Sequence, residues 1–226
     1  MLTLAIDTAA NFCSCCLWDG SADRVLAAEE RDIGRGHAEQ LMDVVDAVMK
    51  QAGREFADIE RIAVAVGPGS FTGIRVGVAA ARGFGLALGV HVTGVTTLEA
   101  LAADARMEAS GPVTVTINGG RGQVFVQSFD TAGNPAGEPE AVEAQEAASA
   151  VSASAGFLAG NAARDVAASL GRPVATGIDR ATGAIATIAR LSTISARGPV
   201  PLYLRGADAK PQEGFALPRA ATEAAR

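Results

Sequence analysis

A two-part α/β fold, its second part a shortened copy of the first, is what this 226-residue sequence predicts. Three observations predict it. Short apolar runs bounded by turn residues alternate with segments of helical period through the first hundred residues. A glycine-rich turn, Gly67-Pro68-Gly69-Ser70-Phe71-Thr72-Gly73, joins one such run to a helix. Composition then changes around 105–112, and a weaker version of the same succession follows.

The first strand is Leu2 to Ile6, an apolar run that ends in the turn Asp7-Thr8. Cys13 to Trp18 is the second, and Asp19-Gly20 is a hairpin signal before a third at Val25 to Glu30. Gly34 and Gly36 break the chain. From His37 to Ala52 apolar residues at 38, 41, 42, 45, 48, 49 and 52 keep a helical period, with Gly53 where a C-terminal cap belongs. Arg61 to Val66 reads as a strand buried on both faces. A helix from about Ile74 to Leu88 and a strand at Val90 to Val95 complete the unit. Three antiparallel strands followed by helix, strand, helix and strand is the ribonuclease-H-like order, one half of the actin and sugar-kinase architecture.

In the second part, Val113 to Ile117 and Gln123 to Phe129 form a strand pair about the turn 118–122. Thr131-Ala132-Gly133-Asn134-Pro135 is another turn, and Ala144 to Val151 a short helix. Phe157 to Gly160 reads as a strand, and Ala162 to Leu170 and Ala184 to Ser195 as helices. This gives a ribonuclease-H-like domain over 1–106, a smaller degenerate one over 107–197, and a C-terminal segment over 198–226 whose end is expected to be mobile.

Composition narrows the function. Apolar residues make up 49% of the chain, enough for a packed core, while aromatics make up 4%, so packing must be close. A formal charge of −6 and a pI near 5.0 leave no basic stripe with which to grip a phosphate backbone unaided. Val76 to Val95 is the most apolar stretch, but Arg82, His91 and five glycines interrupt it, so no membrane span is expected. Met1 to Asp7 has neither a basic start nor an Ala-x-Ala site, and a cytoplasmic location is expected. Cys13, Cys15 and Cys16 are too close together for a disulfide framework and have only two histidines, His37 and His91, as possible zinc co-ligands. They read as small buried hydrophobes.

The glycine-rich turn admits two readings. A strand-to-helix turn of this kind can cradle phosphate with backbone N–H groups. Yet the Walker pattern needs Gly-Lys-Ser/Thr, and the dinucleotide pattern needs glycines at its first, third and sixth positions, whereas here they fall at 67, 69 and 73. The alternative is a structural tight turn. Asp7-Thr8 stands where enzymes of this architecture hold a magnesium-bound phosphate, or else caps a strand end. Asp7, Thr8, Gly67, Gly69 and Ser70 are thus the candidate nucleotide-proximal residues, and a nucleotide-binding ATPase of the actin and sugar-kinase superfamily is the alternative function. Ser70 lies in no Gly-x-Ser-x-Gly elbow and has no histidine nearby in sequence, which argues against a hydrolase. Downstream, Gly73, Gly77, Ala81, Gly85 and Gly89 recur every fourth residue. Such a strip admits a close neighbour, either the domain's own sheet or a partner helix.

The run from Gly67 to Leu101, GPGSFTGIRVGVAAARGFGLALGVHVTGVTTLEAL, resembles the signature region of the TsaB family. Ala5-Ile6-Asp7-Thr8-Ala9, Cys13, His37 and Pro201-Leu202-Tyr203-Leu204-Arg205 are similar to it as well. The resemblance is dense over the first hundred residues, sparse from 105 to 195 and returns near 200. The second-domain turn departs from the family's Asp-Ala-Arg-x-x-Glu-Val-Tyr. Asn118 and Gln123 replace its two acids, which puts any role of those acids in doubt.

The resemblance implies a non-catalytic subunit of the machinery that places threonylcarbamoyl on adenosine 37 of tRNAs reading ANN codons. It implies pairing with the related TsaD, with the ATPase TsaE joining, and a homodimer when alone. ATP is then used by the complex, with no cofactor held stoichiometrically by this chain, and tRNA is met only through the complex. TsaD carries a His-Met-Glu-Gly-His stretch whose two histidines suit a metal. Here the corresponding positions are Thr97 and Leu101, so no catalytic or metal-binding residue is expected. In the family the first two helices of each partner form an intermolecular bundle. Leu41, Val44, Val45 and Val48, with His37, Arg75 and Arg82, are therefore the candidate partner residues. The other reading of the four apolar side chains, that they face their own sheet, fits the periodicity equally well.

Overall fold

The computed structural model describes residues 1–171, 173–175 and 179–205. The first sheet is built from β1 (Leu2–Asp7), β2 (Phe12–Asp19), β3 (Arg24–Asp32), β4 (Arg61–Ala65) and β5 (His91–Val95) in the order β3-β2-β1-β4-β5. β1 to β3 pair antiparallel, while β4 and β5 run parallel to β1. This is the order expected of a ribonuclease-H-like unit.

Helix α1 (His37–Ala52) lies on β2 and β3, and α2 (Phe71–Leu88) on β4, β1 and β5. A parallel connection needs such a crossover, and α2 supplies it between β4 and β5. By length and mean hydropathy (1.2) alone α2 would pass for a membrane span, which the sequence reading did not expect. Its glycine row explains how it is seated instead. A methyl added at Gly73 would run into the Thr8 carbonyl oxygen, one at Gly77 into Thr8 Oγ1, and one at Gly85 into Val92. The strip therefore lets the helix sit flat on its own sheet. Gly89 stands outside the row, as the left-handed C-cap at φ 69°.

The second sheet has the order β8-β7-β6-β9, from β6 (Val113–Gly120), β7 (Gln123–Phe129), β8 (Glu140–Glu143) and β9 (Phe157–Ala159). The pattern repeats the first sheet: three antiparallel strands, then a parallel one. A single parallel bridge, Leu158 to Val174, stands where a fifth strand would begin. The helices shrink too, α4 (Ala147–Ala150) having four residues where α1 has sixteen. Degenerate and shortened describes this half well.

Helices α3 (Thr97–Glu108) and α6 (Ile185–Leu191) depart from chain order. The sequence reading did not mark a helix over 97–108. The structure starts one there with a capping box, Thr96 Oγ1 accepting from the Glu99 N–H while Glu99 accepts from the Thr96 N–H. Leu98, Leu101, Ala102 and Ala105 join Val113, Val115, Ile117, Phe125 and Phe129 in the second core. Conversely, Ile185, Ile188 and Ala189 pack into the first core. Each sheet is thus completed by the helix that follows the other one. The remaining helix, α5 (Ala163–Leu170), packs against β6, β9 and α4, and α4 in turn touches β8. β8 was also unmarked in the sequence. It is a half-exposed edge of four residues with little apolar signal. The tail beyond 205 lies outside the described residues.

Candidate functional site

Between the two sheets runs a cleft of about 750 Å³. Its walls come from the β1–β2 loop (Ala9 to Phe12), the N-terminus of α2 (Gly69 to Phe71), the second-sheet turn (Asn118 to Gly120), Asn161, the segment before α6 (Asp179 to Thr182) and Arg205. The turn is ordered by its own asparagines. Asn118 Oδ1 accepts from the Gly120 N–H at 2.8 Å, and Asn161 Oδ1 accepts from the Asn118 N–H at 2.8 Å. Across the cleft, Arg180 donates to both carboxylate oxygens of Glu30 on β3, at 2.9 and 3.0 Å. Arg205 reaches the Gly119 carbonyl at 3.2 Å.

Of the five residues read as nucleotide-proximal, only Gly69 and Ser70 line this cleft. Asp7 is buried, its Oδ1 accepting from the Ala9 N–H at 2.8 Å, which is the strand-end cap. Desolvation raises its pKa from 3.8 to about 6; the Ala9 hydrogen bond opposes this, and the Glu30 charge adds to it. Thr8 Oγ1 donates to the Gly73 carbonyl at 2.7 Å. Gly67, at φ 97°, fits beneath the Leu202 carbonyl and the Ile74 side chain. The start of α2 is also committed: Ser70 N–H donates to the Ala9 carbonyl at 2.6 Å, and Ser70 Oγ accepts from the Gly73 N–H at 3.2 Å. Loop and helix are zipped to each other, which uses up donors that a phosphate would need. The sequence could not reveal this, since contact across 65 residues leaves no local pattern.

The candidate partner residues divide. Leu41 is 2% exposed and Val44, Val45 and Val48 are fully buried against β2 and β3, so these four are core and not a docking face. Periodicity located the apolar stripe but not what covers it. His37 is buried too, its Nε2 2.8 Å from the Ala10 carbonyl, where it ties the start of α1 to the β1–β2 loop. His37 and Ser70 share a second groove of about 420 Å³, but no hydrogen bond joins them. Arg75 and Arg82 do point outward. The Arg75 guanidinium sits 3.8 Å from the Phe71 ring centroid and donates from Nε to the Tyr203 hydroxyl at 2.9 Å. Along the same outward face lie Ala79, Gly83 and Leu86, the last 88% exposed.

Positions corresponding to the TsaD histidines are both inside. Leu101 is fully buried in the second core, and Thr97, 1% exposed, gives its N–H to the Gly67 carbonyl. Glu30, Asn161 and Arg180 were not singled out in the sequence, and Arg205 entered only within the Pro201 to Arg205 resemblance, because the four come from separate elements that only the fold brings together.

A protein-family model described as TsaD, tRNA N6-adenosine threonylcarbamoyltransferase, matches residues 27–156. The tRNA threonylcarbamoyladenosine biosynthesis protein TsaB of Escherichia coli (strain K12) is 32% identical over 145 residues, 64% of this chain and 62% of that protein. The TsaB protein of Bacillus subtilis (strain 168) is 32% identical over 125 residues, 55% of this chain and 53% of that one. The chain thus spans less than two thirds of the length of these relatives. A Pseudomonas aeruginosa protein of solved structure, described as similar to the peptidase YeaZ, superposes with a TM-score of 0.74 at 26% identity. That match covers 90% of this chain and 99% of the other.

Proposed function

Since the chain belongs to the TsaD family, within its TsaB branch, we propose that it is the non-catalytic partner subunit in tRNA threonylcarbamoyladenosine biosynthesis. In this reading it pairs with TsaD, with TsaE completing the assembly, and supports transfer to adenosine 37 of tRNAs reading ANN codons. ATP is consumed by the complex, and the chain meets tRNA through the complex alone. Without TsaD it forms a homodimer.

The observation that carries the proposal is the outward face of α2. This helix has a mean hydropathy of 1.2 over its 18 residues, yet only 33% of them are buried, and its exposed side is a strip of small residues and arginines on which Leu86 and Phe71 are the large apolar side chains. Small residues Ala79 and Gly83 permit close approach of another helix, Leu86 supplies apolar contact, and Arg75 and Arg82 flank the strip. Beside it, the exposed side of α1 presents Met42 between Glu39, Asp43 and Asp46. A basic helix next to an acidic one is self-complementary under a two-fold axis, which supports the homodimer. The ATPase alternative gains nothing from Asp7, whose carboxylate is turned into the backbone.

Reconstitution tests the proposal. Purified TsaD, TsaE, threonylcarbamoyl-adenylate and tRNA should give little modified nucleoside until this chain is added. Full modification in its absence, or turnover by this chain alone, would show the reading to be wrong.

A further inference from the structure

We propose that a groove beside α3, separate from the interdomain cleft, docks an acidic segment of a protein partner, its carboxylates on Arg106 and Arg197 and its apolar side chains on Ile194. The groove holds about 370 Å³ and, among the described residues, shares no lining residue with the cleft. Its first wall is α3, where Glu99, Ala103 and Arg106, spaced by four and three, lie on one side of the helix. The segment after α6, Ile194 to Arg197, makes the second wall, and the β7–β8 turn, Ala132 to Pro135, the third. Each wall is fastened from behind. Ser195 Oγ donates to the Gly94 carbonyl at 3.0 Å and the Gly94 N–H to the Arg197 carbonyl at 2.8 Å, which ties the second wall to the outer edge of β5. In the turn, Asp130 Oδ1 accepts from the Asn134 N–H at 2.8 Å. Gly133, at φ 91°, leaves room for the Arg106 guanidinium, which donates to the Thr131 carbonyl at 2.6 Å. A groove formed in advance loses little order when its occupant arrives.

Charge and apolar content together identify the occupant. The chain carries −6 overall, yet the described lining of this groove has two arginines and one carboxylate. That carboxylate is already committed to the helix cap, Glu99 Oε2 accepting from the Thr96 N–H at 2.8 Å, and its contact with Arg197 is long, at 3.5 Å. Arg106 uses one of its five N–H donors among the described residues. Two guanidinium groups with donors to spare suit incoming carboxylates. A lone exposed isoleucine is ordinary. Ile194, however, is 81% exposed within a groove that Val95, Leu191 and Pro135 also line, so an apolar side chain seated there would be buried against all four. Nucleic acid fits less well, since its backbone calls for a row of cations and the groove offers two. None of the described lining residues belongs to α1 or α2, so this surface is additional to the one on α2.

A random peptide library displayed on phage tests this, selected on the purified chain and depleted on the double variant Arg106→Gln, Arg197→Gln. The recovered peptides are expected to combine aspartate or glutamate with a bulky apolar residue. In fluorescence anisotropy, Arg197→Glu should weaken such a peptide by about tenfold or more, and Ile194→Ser severalfold. Added salt should weaken it as well. Leu86→Glu, on the other surface, should leave its affinity unchanged. Both altered side chains in the groove are exposed, and circular dichroism verifies that the variants are folded. A selection that recovers no peptide, or peptides without acidic residues, would overturn the proposal. So would acidic peptides that bind Arg197→Glu and Ile194→Ser as tightly as the parent. The outcome does not bear on the TsaD partnership, because no TsaD is present and the two groove variants leave α2 untouched.

Discussion

The Asp104 carboxylate, on α3, accepts from the Ala184 N–H at 2.6 Å, so a helix packed on the second sheet caps the helix packed on the first. Thr187 Oγ1 donates to the same carboxylate. At the opposite end of α6, Arg61 donates to the Ser192 carbonyl at 2.6 Å. A seven-residue helix cannot stand by itself. This one is held by a negative group at its N-terminus and a positive one at its C-terminus, each of the sign its dipole favours.

Replacing Asp104 with Ala should therefore loosen both cores together. Two hydrogen bonds to a largely buried carboxylate are lost and the Ala184 amide, just ahead of α6, is left unpaired, at a cost of about 2–4 kcal/mol. Chemical denaturation should show that loss, with Asp104→Asn retaining part of it. A change below about 0.5 kcal/mol would mean that α6 is held by packing alone.

Two helix faces should behave oppositely. Val45→Glu puts a charge where the side chain is fully buried and should cost several kcal/mol, enough to unfold the domain. Leu86→Glu, at a position 88% exposed, should leave thermal melting unchanged within the range typical of surface substitutions. It should nevertheless abolish comigration with TsaD on size exclusion. Retained comigration would move the partner surface away from α2.

Stability should fall as pH rises past the acid range because of Asp7. Its folded pKa, about 6, exceeds the unfolded 3.8, so the folded chain holds the extra proton between these values. The contribution is fully present below the unfolded value and is lost as pH passes about 6, amounting to about 3 kcal/mol. Asp7→Asn keeps the acceptor for Ala9 without the charge. It should be more stable than the parent near neutral pH and no more stable in acid. Equal pH profiles of melting temperature would refute the assignment.

The three thiols should be silent in the native protein. Burial raises Cys13 to about 11 and Cys16 to about 12, and Cys15 well above its ordinary value, so almost no thiolate exists near neutrality. An aromatic disulfide reagent should label none until denaturant is added, and then three per chain. Fast labelling of the folded protein would contradict this burial.

What the sequence determined by itself was everything carried by local pattern. Ile62 to Val66 is an uninterrupted apolar run and Leu2 to Ile6 one broken only by Thr3, and these became the central strands β1 and β4. Gly73, Gly77, Ala81 and Gly85 announced a close approach, which proved to be the first sheet itself. The repeated strand order disclosed a duplicated fold because hydrophobic period and turn chemistry act over a few residues. Tertiary structure alone decided which surface covers each stripe. The row Leu41, Val44, Val45 and Val48 would look the same against a sheet or a partner, since burial depends on what arrives from elsewhere in the chain. The exchange of α3 and α6, and the meeting of Glu30 with Arg180 across 150 positions, were likewise beyond local reading. Charged groups so far apart in sequence acquire a relation only when two packed cores fix them on facing walls.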